Sequence, residues 1–497
     1  MKLRTLTVLV TLARLAVPGA AQEPVPERLS LAEAIDIART TNPGFLQTRN
    51  DEALADWDVK EAYGQLLPTA SASGGLSWQG SGDVPLVGGV TIGDLGLADQ
   101  PSYYSSRYTI GVNYSLNWAT LLAPRQAKAQ RFATLDGIGV AEATLISQVT
   151  SLYVDMLRQV DAVRIAEQQL ENAELNLRLA QGQLEVGQVT PIDVGQAEVQ
   201  VGRAQVTLLQ TQNARTTARM RLLQALGLPV EQRFEPTTTF ELSAPMWSLS
   251  ELTEMAMADN PELLRRRSST DAADVAVSAV WSQYLPTLSL STGWSGFTRE
   301  ASSTDFFIAQ AQAGVASSIQ QCVRTNDLYA RLTPPIPPID CAQFAFTDDQ
   351  AAAIVSGNDQ FPFAFTRSPP TLSLNLSIPI FTGLSRERNM QAAKLQRDDL
   401  VQQVREQELA LQADLAIGLE TARTLYESAL LEDRNRLLAE QQLNLARERY
   451  QLGAITFVEL VDAQTVFVNA DADRTRAVFA YHDAITTLEA LVGATLR

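Results

Sequence analysis

Apolar residues recur with a helical period along most of this chain. Ahead of residue 187, larger apolar residues return every seven positions with alanines between them: Val163, Ala166, Leu170, Ala173, Leu177, Ala180 and Leu184. That spacing is typical of long helices whose backbones pack closely. Gly187 then lies where a helix would end with positive φ, and Thr190 with Asp193 predicts the capping box of a second helix. The pattern therefore predicts two long helices joined by a tight turn.

The same turn occurs again near the end of the chain, as Gly453, Thr456 and Glu459. A Ser-x-x-Glu capping box is likewise present twice, at Ser30 and at Ser248. Two signatures repeated in one order predict an internal duplication. We assign its parts as follows: a first repeat at 22–248 with a helical hairpin at 120–227 and a linker at 229–248, and a second repeat at 249–497 with a helical hairpin at 384–493.

Four short segments alternate between apolar and polar residues instead, which predicts β-strands at about 69–79, 107–118, 286–296 and 371–381. Each is about long enough to cross a bilayer as a tilted strand, although a half-buried sheet in a soluble domain shows the same alternation. The pattern alone leaves both possibilities open. In either case it predicts two sets of residues on opposite faces: Tyr108, Val112, Leu374 and Ile378 on one, and Asn113, Ser115, Asn375 and Ser377 on the other.

The second repeat is longer than the first in the region of its strands. The extra residues predict a long loop at about 297–370, polar and rich in proline. Both cysteines of the chain, Cys322 and Cys341, lie in it, and in an exported protein they would form a disulfide. In the loop-entropy model such a crosslink stabilises the loop by roughly 3 kcal/mol.

Composition and charge limit where the protein is located and which partners it binds. Residues 1–21 predict a secretory signal peptide, with Lys2 and Arg4 ahead of an apolar run and small residues at its end. Removing its three positive charges would move the formal net charge from −17 to −20, a balance that disfavours nucleic acid as a partner. No later segment stays apolar over the length that a membrane-spanning helix needs, so no transmembrane helix is predicted.

The residue types available also argue against catalysis. The single histidine, His482, is interpreted as a packing or surface residue, because metal or acid–base chemistry needs partners. No nucleophile–base pair, phosphate-binding loop or cluster of metal ligands is recognisable in the sequence. We therefore expect neither an enzyme nor a bound metal or cofactor.

The predicted elements imply a homo-oligomer. Four strands leave two unpaired edges and cannot close into a barrel, so a membrane-embedded sheet would need strands from several copies of the chain. The long helices would pack side by side in the same assembly, along their Leu and Ala stripes. Such an arrangement indicates a conduit.

These ordered motifs resemble the outer membrane efflux, or TolC-like, family over nearly the whole chain that follows the signal. Besides the strands and the two turns, each repeat carries an Asn-Pro and a Leu-Pro pair: Asn42-Pro43, Leu67-Pro68, Asn260-Pro261 and Leu285-Pro286. The resemblance implies an α+β membrane protein, a homotrimer whose twelve-stranded transmembrane β-barrel continues into a periplasmic α-helical barrel. It further implies a cell outer membrane location and contact with outer-membrane lipid. A periplasmic adaptor and an inner-membrane pump would be its partners in a tripartite efflux or secretion system.

The resemblance also assigns roles to the two turns. By that similarity Gly187, Thr190, Gly453 and Thr456 would contact hairpins of the adaptor, although the backbone turn alone already requires both glycines. Ile455 departs from the pattern, because some members of the family carry a latching arginine at this position. A polar latch of that kind is therefore not expected here.

Three acidic residues near the turns are candidates for a periplasmic gate. Glu459 and Asp462 resemble the acidic pair that lines the closed entrance in the family, and Asp193 is the acid of the first turn. Asp193 and Glu459 are equally explained as the acids of capping boxes, and Asp462 as a solvated acid facing the periplasm. An alternative class, a periplasmic coiled-coil scaffold or adaptor with a soluble β-domain, remains open at this point.

Overall fold

The computed structural model describes residues 26–82 and 100–496, so the predicted signal at 1–21 lies outside the described residues. Its helices and longer strands follow in this order: β1 Arg28–Leu29, α1 Leu31–Thr41, α2 Pro43–Gly64, β2 Thr69–Gln79, β3 Tyr103–Leu116, α3 Trp118–Glu185, α4 Pro191–Leu226, β4 Glu235–Pro236, α5 Leu249–Asp259, α6 Pro261–Trp281, β5 Thr287–Ala301, α7 Asp305–Ala330, α8 Asp348–Gly357, β6 Thr366–Arg367, β7 Thr371–Ser377, α9 Ser385–Gln451 and α10 Phe457–Val492. None of the described helices combines the length and the apolar character needed to cross a bilayer.

The chain divides into two compact units. A helical unit contains the chain up to Lys60, the segment Arg125–Val277 and the chain from Met390. A strand unit contains Glu61–Pro124 and Ser278–Asn389. Each unit therefore draws its segments from both halves of the sequence.

In the helical unit, matched helix starts reveal the duplication. The Ser30 hydroxyl accepts the Glu33 backbone N–H, while the Glu33 carboxylate accepts that of Ser30. Ser248 and Glu251 form the same two bonds at the start of α5. These capping boxes set where α1 and α5 begin.

An asparagine joins each of these short helices to the end of a long one. The Asn42 side-chain amide donates to the Ala225 carbonyl at 2.7 Å, and that of Asn260 donates to the Leu491 carbonyl at 2.8 Å. Each bond satisfies a carbonyl in the last turn of a helix, where no intrahelical donor is available. The asparagine of each Asn-Pro motif therefore has a structural role.

A glycine ends the long helix at both of these contacts, because the short helix passes very close to it. Gly227 and Gly493 have φ of +73° and +81°. A Cβ on Gly227 would lie 2.4 Å from the Thr41 carbonyl oxygen, and one on Gly493 would lie 2.3 Å from that of Asp259. Both the dihedral angle and the lack of space for a Cβ therefore favour glycine at these two positions.

Tyr153 on α3 ties the predicted linker to the helices. Its buried hydroxyl donates to the Leu29 carbonyl at 2.7 Å and accepts the backbone N–H groups of Thr237 and Thr238, each at 3.1 Å. Beside it, β1 pairs in parallel with β4. The linker is thus part of the hydrophobic core of the first repeat.

The strand unit is built on an antiparallel sheet. Its order is β2-β3-β5, and β7 and β6 pair with successive parts of the outer edge of β5. The registers collect apolar side chains on one side, the apolar face: Leu76, Trp78, Ile110, Val112, Leu288, Leu290, Trp294, Leu372, Leu374 and Leu376. Hydroxyl and amide side chains occupy the other side, the polar face: Ser71, Ser73, Ser77, Thr109, Asn113, Ser289, Ser291, Ser373 and Asn375.

The predicted faces agree with these registers for every residue that lies in a strand; Ile378 follows the end of β7. Tyr108, Val112 and Leu374 lie on the apolar face, while Asn113, Ser115, Asn375 and Ser377 lie on the polar face. The boundaries of the strands differ more. β3 begins at Tyr103 because its first residues pair with β5 although they do not alternate, and β7 ends before Pro379, which has no N–H to donate.

The segment expected to be a loop at 297–370 contains two helices, α7 and α8. Cys322 and Cys341 are joined by a disulfide within it. From Phe361 to Arg367 the chain returns across the apolar face, and we call this part the return segment. Its Phe365 ring packs edge-on against Tyr108 with centroids 4.8 Å apart. The difference from the prediction arises because the alanine- and glutamine-rich residues of α7 favour a helix, whereas the prolines that suggested a loop lie beyond it.

Candidate functional site

The two predicted turns lie at one end of the helical unit. Gly187 and Gly453 have φ of +75° and +68°, and a Cβ on either would meet nothing within 4 Å. Their backbone angle alone therefore requires glycine, in contrast to Gly227 and Gly493. Both turns leave their backbone open to partners.

The acids Asp193 and Glu459 cap the helices that leave the turns. Asp193 accepts the Thr190 hydroxyl at 2.7 Å and its backbone N–H at 2.8 Å, and these bonds hold the pKa of Asp193 below its usual value. Glu459 accepts the Thr456 backbone N–H at 2.7 Å and its hydroxyl at 2.9 Å, which lowers the pKa of Glu459 in the same way. Both carboxylates are consequently ionised at neutral pH and bound to the caps.

Asp462 lies in a different setting. It follows Glu459 by three residues on α10, is exposed, and makes no hydrogen bond or ion pair with the residues at 26–82 and 100–496. No described group of three or more His, Cys, Asp or Glu side chains could hold a metal ion there or elsewhere in these ranges. Of the three candidate acids, Asp462 is thus the one that is not bound to a helix cap.

A small hydrophobic core, which we call the tip core, holds the two hairpins together beside the turns. Buried side chains from all four long helices form it: Ala180, Ala197, Leu443, Tyr450, Phe457 and Leu460. Ile455 packs against it from the second turn, so the residue that departs from the family pattern has an apolar role. Because the tip core joins the two hairpins, the two turns lie side by side.

Polar contacts between the two hairpins lie next to the tip core. The Tyr450 hydroxyl donates to the Gln183 side-chain oxygen at 2.8 Å, and the pKa of Tyr450 is raised, first by burial and then by the negative charge of Asp193. Asn176, buried in the seam, donates to the Gln464 side-chain oxygen at 2.7 Å. The sequence analysis missed this pair; its available signal was a polar residue placed among the alanines of the buried stripe.

Farther from the turns, charged side chains link the two hairpins. Asp471 is buried and accepts from Arg436 at 2.7 Å, with Arg164 of the first hairpin 3.5 Å away. Arg164 also binds Asp161 at 2.7 Å, and Thr475 donates to that carboxylate at 2.9 Å. Burial raises the pKa of Asp161, but the bonds from Arg164 and Thr475 outweigh it, so the pKa lies below its usual value.

An open groove beside the turns is lined by α4 and α10. Its exposed apolar residues are Ile192, Val199 and Val458, which are 71%, 54% and 63% exposed, and Arg203 also lines it. Apolar side chains exposed at this level are typical of surfaces that bind another protein. We call this surface the tip groove.

This chain belongs to the outer membrane efflux protein family, whose model matches residues 34–228 and 358–494. The match covers most of the first repeat and the later part of the second, including the two turns and the tip core. It confirms the predicted family and the predicted class of long helical hairpins combined with β-strands, and it places the protein in the outer membrane. The family is one of transport proteins rather than enzymes.

Individual relatives are distant. The chain is 23% identical to the pyoverdine export outer membrane protein OpmQ of Pseudomonas putida over 70% of this chain, but it spans only 62% of that relative. It is 21% identical to the probable outer membrane lipoprotein SilC of Salmonella typhimurium, over 89% of this chain and 80% of that one. The Campylobacter jejuni CmeC outer membrane channel shares its fold, with a TM-score of 0.67, 13% identity and coverage of 93% of this chain and 85% of that one.

Proposed function

We propose that this chain is the outer-membrane channel of a tripartite export system and passes substrates from an inner-membrane pump to the exterior. The observation that carries the proposal is the sheet with two unlike faces. On the apolar face, Leu372 and Trp78 are 73% and 65% exposed within the chain. An apolar face left open to this extent beside the return segment is stable against lipid, while hydroxyl and amide side chains on the other face suit a water-filled pore.

The edges of the same sheet support a homotrimer. Among the described strands, β2 has a partner on one side only, and the β6–β7 edge is likewise open. Unpaired N–H and C=O groups are costly in hydrocarbon, so open edges there must be closed. Four strands from each of three copies would close a twelve-stranded barrel in which β2 of one copy meets β7 of the next.

The first test concerns the two faces. Single cysteines are introduced at Val112 and Leu374, and at Asn113 and Asn375, in a background without Cys322 and Cys341. We expect a water-soluble thiol reagent to label the two asparagine positions at least roughly tenfold faster, because lipid excludes the reagent from the other two. Labelling is measured by mass shift in intact outer membranes.

Equal labelling at all four positions would contradict the barrel and favour a soluble β-domain on a periplasmic scaffold. Labelling of the same variants after denaturation is the control, since it shows that each thiol is equally reactive once exposed. The neighbouring positions 112 and 113 make the comparison independent of depth in the membrane.

We further propose that the turns form the periplasmic entrance and its gate. Asp462 is the acid that supports this role best, because it is exposed and has no partner among the described residues of its own chain, whereas Asp193 and Glu459 are bound to the caps. Three copies of Asp462 at one level of a pore would attract divalent cations. Glu459 and Asp193 would contribute negative charge near the same level.

The gate is tested by single-channel recording in planar bilayers, with a divalent cation added on the periplasmic side. Asp462→Asn is expected to raise the blocking concentration roughly tenfold, because three carboxylates are lost at one level of the pore. Glu198→Gln, which changes an exposed acid that follows the first turn on α4, is the matched control and should leave the blocking concentration unchanged. Equal blocking of wild type and Asp462→Asn would assign Asp462 to the outer surface.

The adaptor is the partner we propose for the turns themselves. Gly187, Thr190, Gly453 and Thr456 belong to the surface beside the tip groove. The groove combines apolar side chains with Arg203, a composition suited to the tip of a helical hairpin with apolar and acidic residues. A hairpin bound there would contact both repeats of one chain at once.

A further inference from the structure

The polar face of the sheet is almost free of charge. On the described strands its side chains are serine, threonine, asparagine, glutamine, glycine and a few apolar residues, with two exceptions. The exceptions are Arg107 on β3 and Arg299 on β5. In a chain with a formal net charge of −17, two isolated cations on a neutral surface require an explanation.

The two arginines lie side by side. Arg107 is paired with Phe297, and Arg299 with Ser105, so the arginines are diagonal neighbours across the β3–β5 ladder. Diagonal neighbours in an antiparallel pair are about 7–8 Å apart, within joint reach of one small anion. Both arginines are exposed, and both lie towards the end of the strands at which α7 leaves, away from the connections to the long helices.

Neither guanidinium serves a structural ion pair. Within residues 26–82 and 100–496, no carboxylate lies within bonding distance of Arg107 or Arg299. The nearest acid in sequence, Glu300, lies on the opposite face and accepts the Phe361 backbone N–H at 3.0 Å. Among the described residues, the charge of both arginines is therefore not neutralised by a carboxylate.

Aromatic rings complete the surface. The Arg299 guanidinium carbon lies 3.6 Å from the centre of the buried Tyr103 ring, and this stacking restricts the side chain. Phe297, half exposed on the same face, lies beside Arg107. Planar guanidinium groups bind carboxylates and phosphates through paired hydrogen bonds, and the phenyl ring offers contact to an apolar body.

We propose that Arg107, Arg299 and Phe297 form a binding site for organic anions on the pore side of the sheet, near its outer end. The site rests on the proposed channel function, in which each copy contributes one such cluster to a common ring. Cargo that carries carboxylate or phosphate groups would be bound there before it leaves the pore. The acidic turns would favour cations at the entrance, so the two ends of the pathway would differ in the charge they attract.

The test uses single-channel recording of the full-length protein, with inositol hexakisphosphate added on the exterior side. We expect Arg107→Gln combined with Arg299→Gln to raise the blocking concentration roughly tenfold or more, because several charge-assisted contacts are lost at once. Arg367→Gln is the matched control, since Arg367 is an exposed arginine of the same sheet on its apolar face. The control should block like wild type, and block by the polycation spermine should not weaken in any variant.

An unchanged blocking concentration in the double variant would overturn the binding site while leaving the channel intact. An equal shift in Arg367→Gln would overturn it as well, because the effect would then come from general surface charge. If the double variant does not insert, each single Gln variant is recorded, with a shift of roughly threefold expected. The absence of any channel in wild type would overturn the proposed function and the site together.

Discussion

Gly227→Ala is expected to destabilise the helical unit by roughly 3 kcal/mol or more, the sum of a strained φ and a steric overlap. The new Cβ would lie 2.4 Å from the Thr41 carbonyl oxygen, a backbone atom that cannot move without shifting α1. The bond between Asn42 and Ala225 lies at the same contact and would be lost with that shift. The measurement is the midpoint of thermal unfolding, followed by circular dichroism of the purified protein in detergent.

Gly187→Ala separates the two contributions. Gly187 has nearly the same φ, +75°, yet a Cβ there meets nothing within 4 Å. Its substitution should cost only the left-handed conformation, roughly 1–2 kcal/mol. If Gly187→Ala and Gly227→Ala lowered the midpoint equally, the close approach of α1 to the end of α4 would contribute nothing. Gly493 and Gly453 offer the same comparison in the second repeat.

Tyr153→Phe is expected to cost about 3 kcal/mol, because one buried hydroxyl bonds to three backbone groups. Its removal leaves the Leu29 carbonyl and the N–H groups of Thr237 and Thr238 without that partner. The ring itself is retained, so the apolar packing of the core does not change. Loss of stability would therefore report on the hydrogen bonds that hold the linker.

The control for this substitution is Tyr450→Phe, at the tip core. There the hydroxyl donates to a single side-chain oxygen, that of Gln183, which can turn to water when the bond is lost. We expect about 1 kcal/mol or less in the same thermal measurement. A larger loss for Tyr450→Phe than for Tyr153→Phe would contradict the role assigned to Tyr153.

Much of the helical unit was predictable because its signals are local. The capping boxes at Ser30, Ser248 and Thr456 depend on residues three positions apart, and each is present where the sequence places it. The strand faces were predictable for a similar reason, since alternation in one strand fixes which side each residue occupies. The steric requirement for glycine at position 227 was not predictable, because it depends on Thr41, which is far away in the sequence.

The contacts between the two hairpins show more clearly what the sequence alone does not predict. The alanines of the stripe are buried as the heptad pattern implies, but Asn176 is buried among them and bound to Gln464. Which glutamine meets which asparagine depends on the relative register of two hairpins, and no single helix specifies it. The same holds for Asp471, whose partners Arg164 and Arg436 come from different repeats. Side chains of this kind are recognised only after the helices are paired.

The segment at 297–370 was predicted to be a loop but contains two helices, and the reason for this difference is another one. Its prolines at 334–338 indicate irregular chain, but their influence is local and does not extend through the whole segment. The structure places a 26-residue helix before those prolines and a second helix, α8, after them. The return segment could not be foreseen, because its contacts with Tyr104 and Tyr108 join parts of the chain that are far apart in the sequence.

The position of the disulfide allows the segment at 297–370 to tolerate cleavage of its backbone. Residues 331–340, between α7 and Cys341, are exposed throughout, which makes them a favourable site for proteolytic cleavage. Cys322 lies before this segment and Cys341 at its end, so a cut within it opens a closed covalent loop instead of severing the molecule. The chain would survive such a nick as one covalent unit, with the return segment still seated on the sheet.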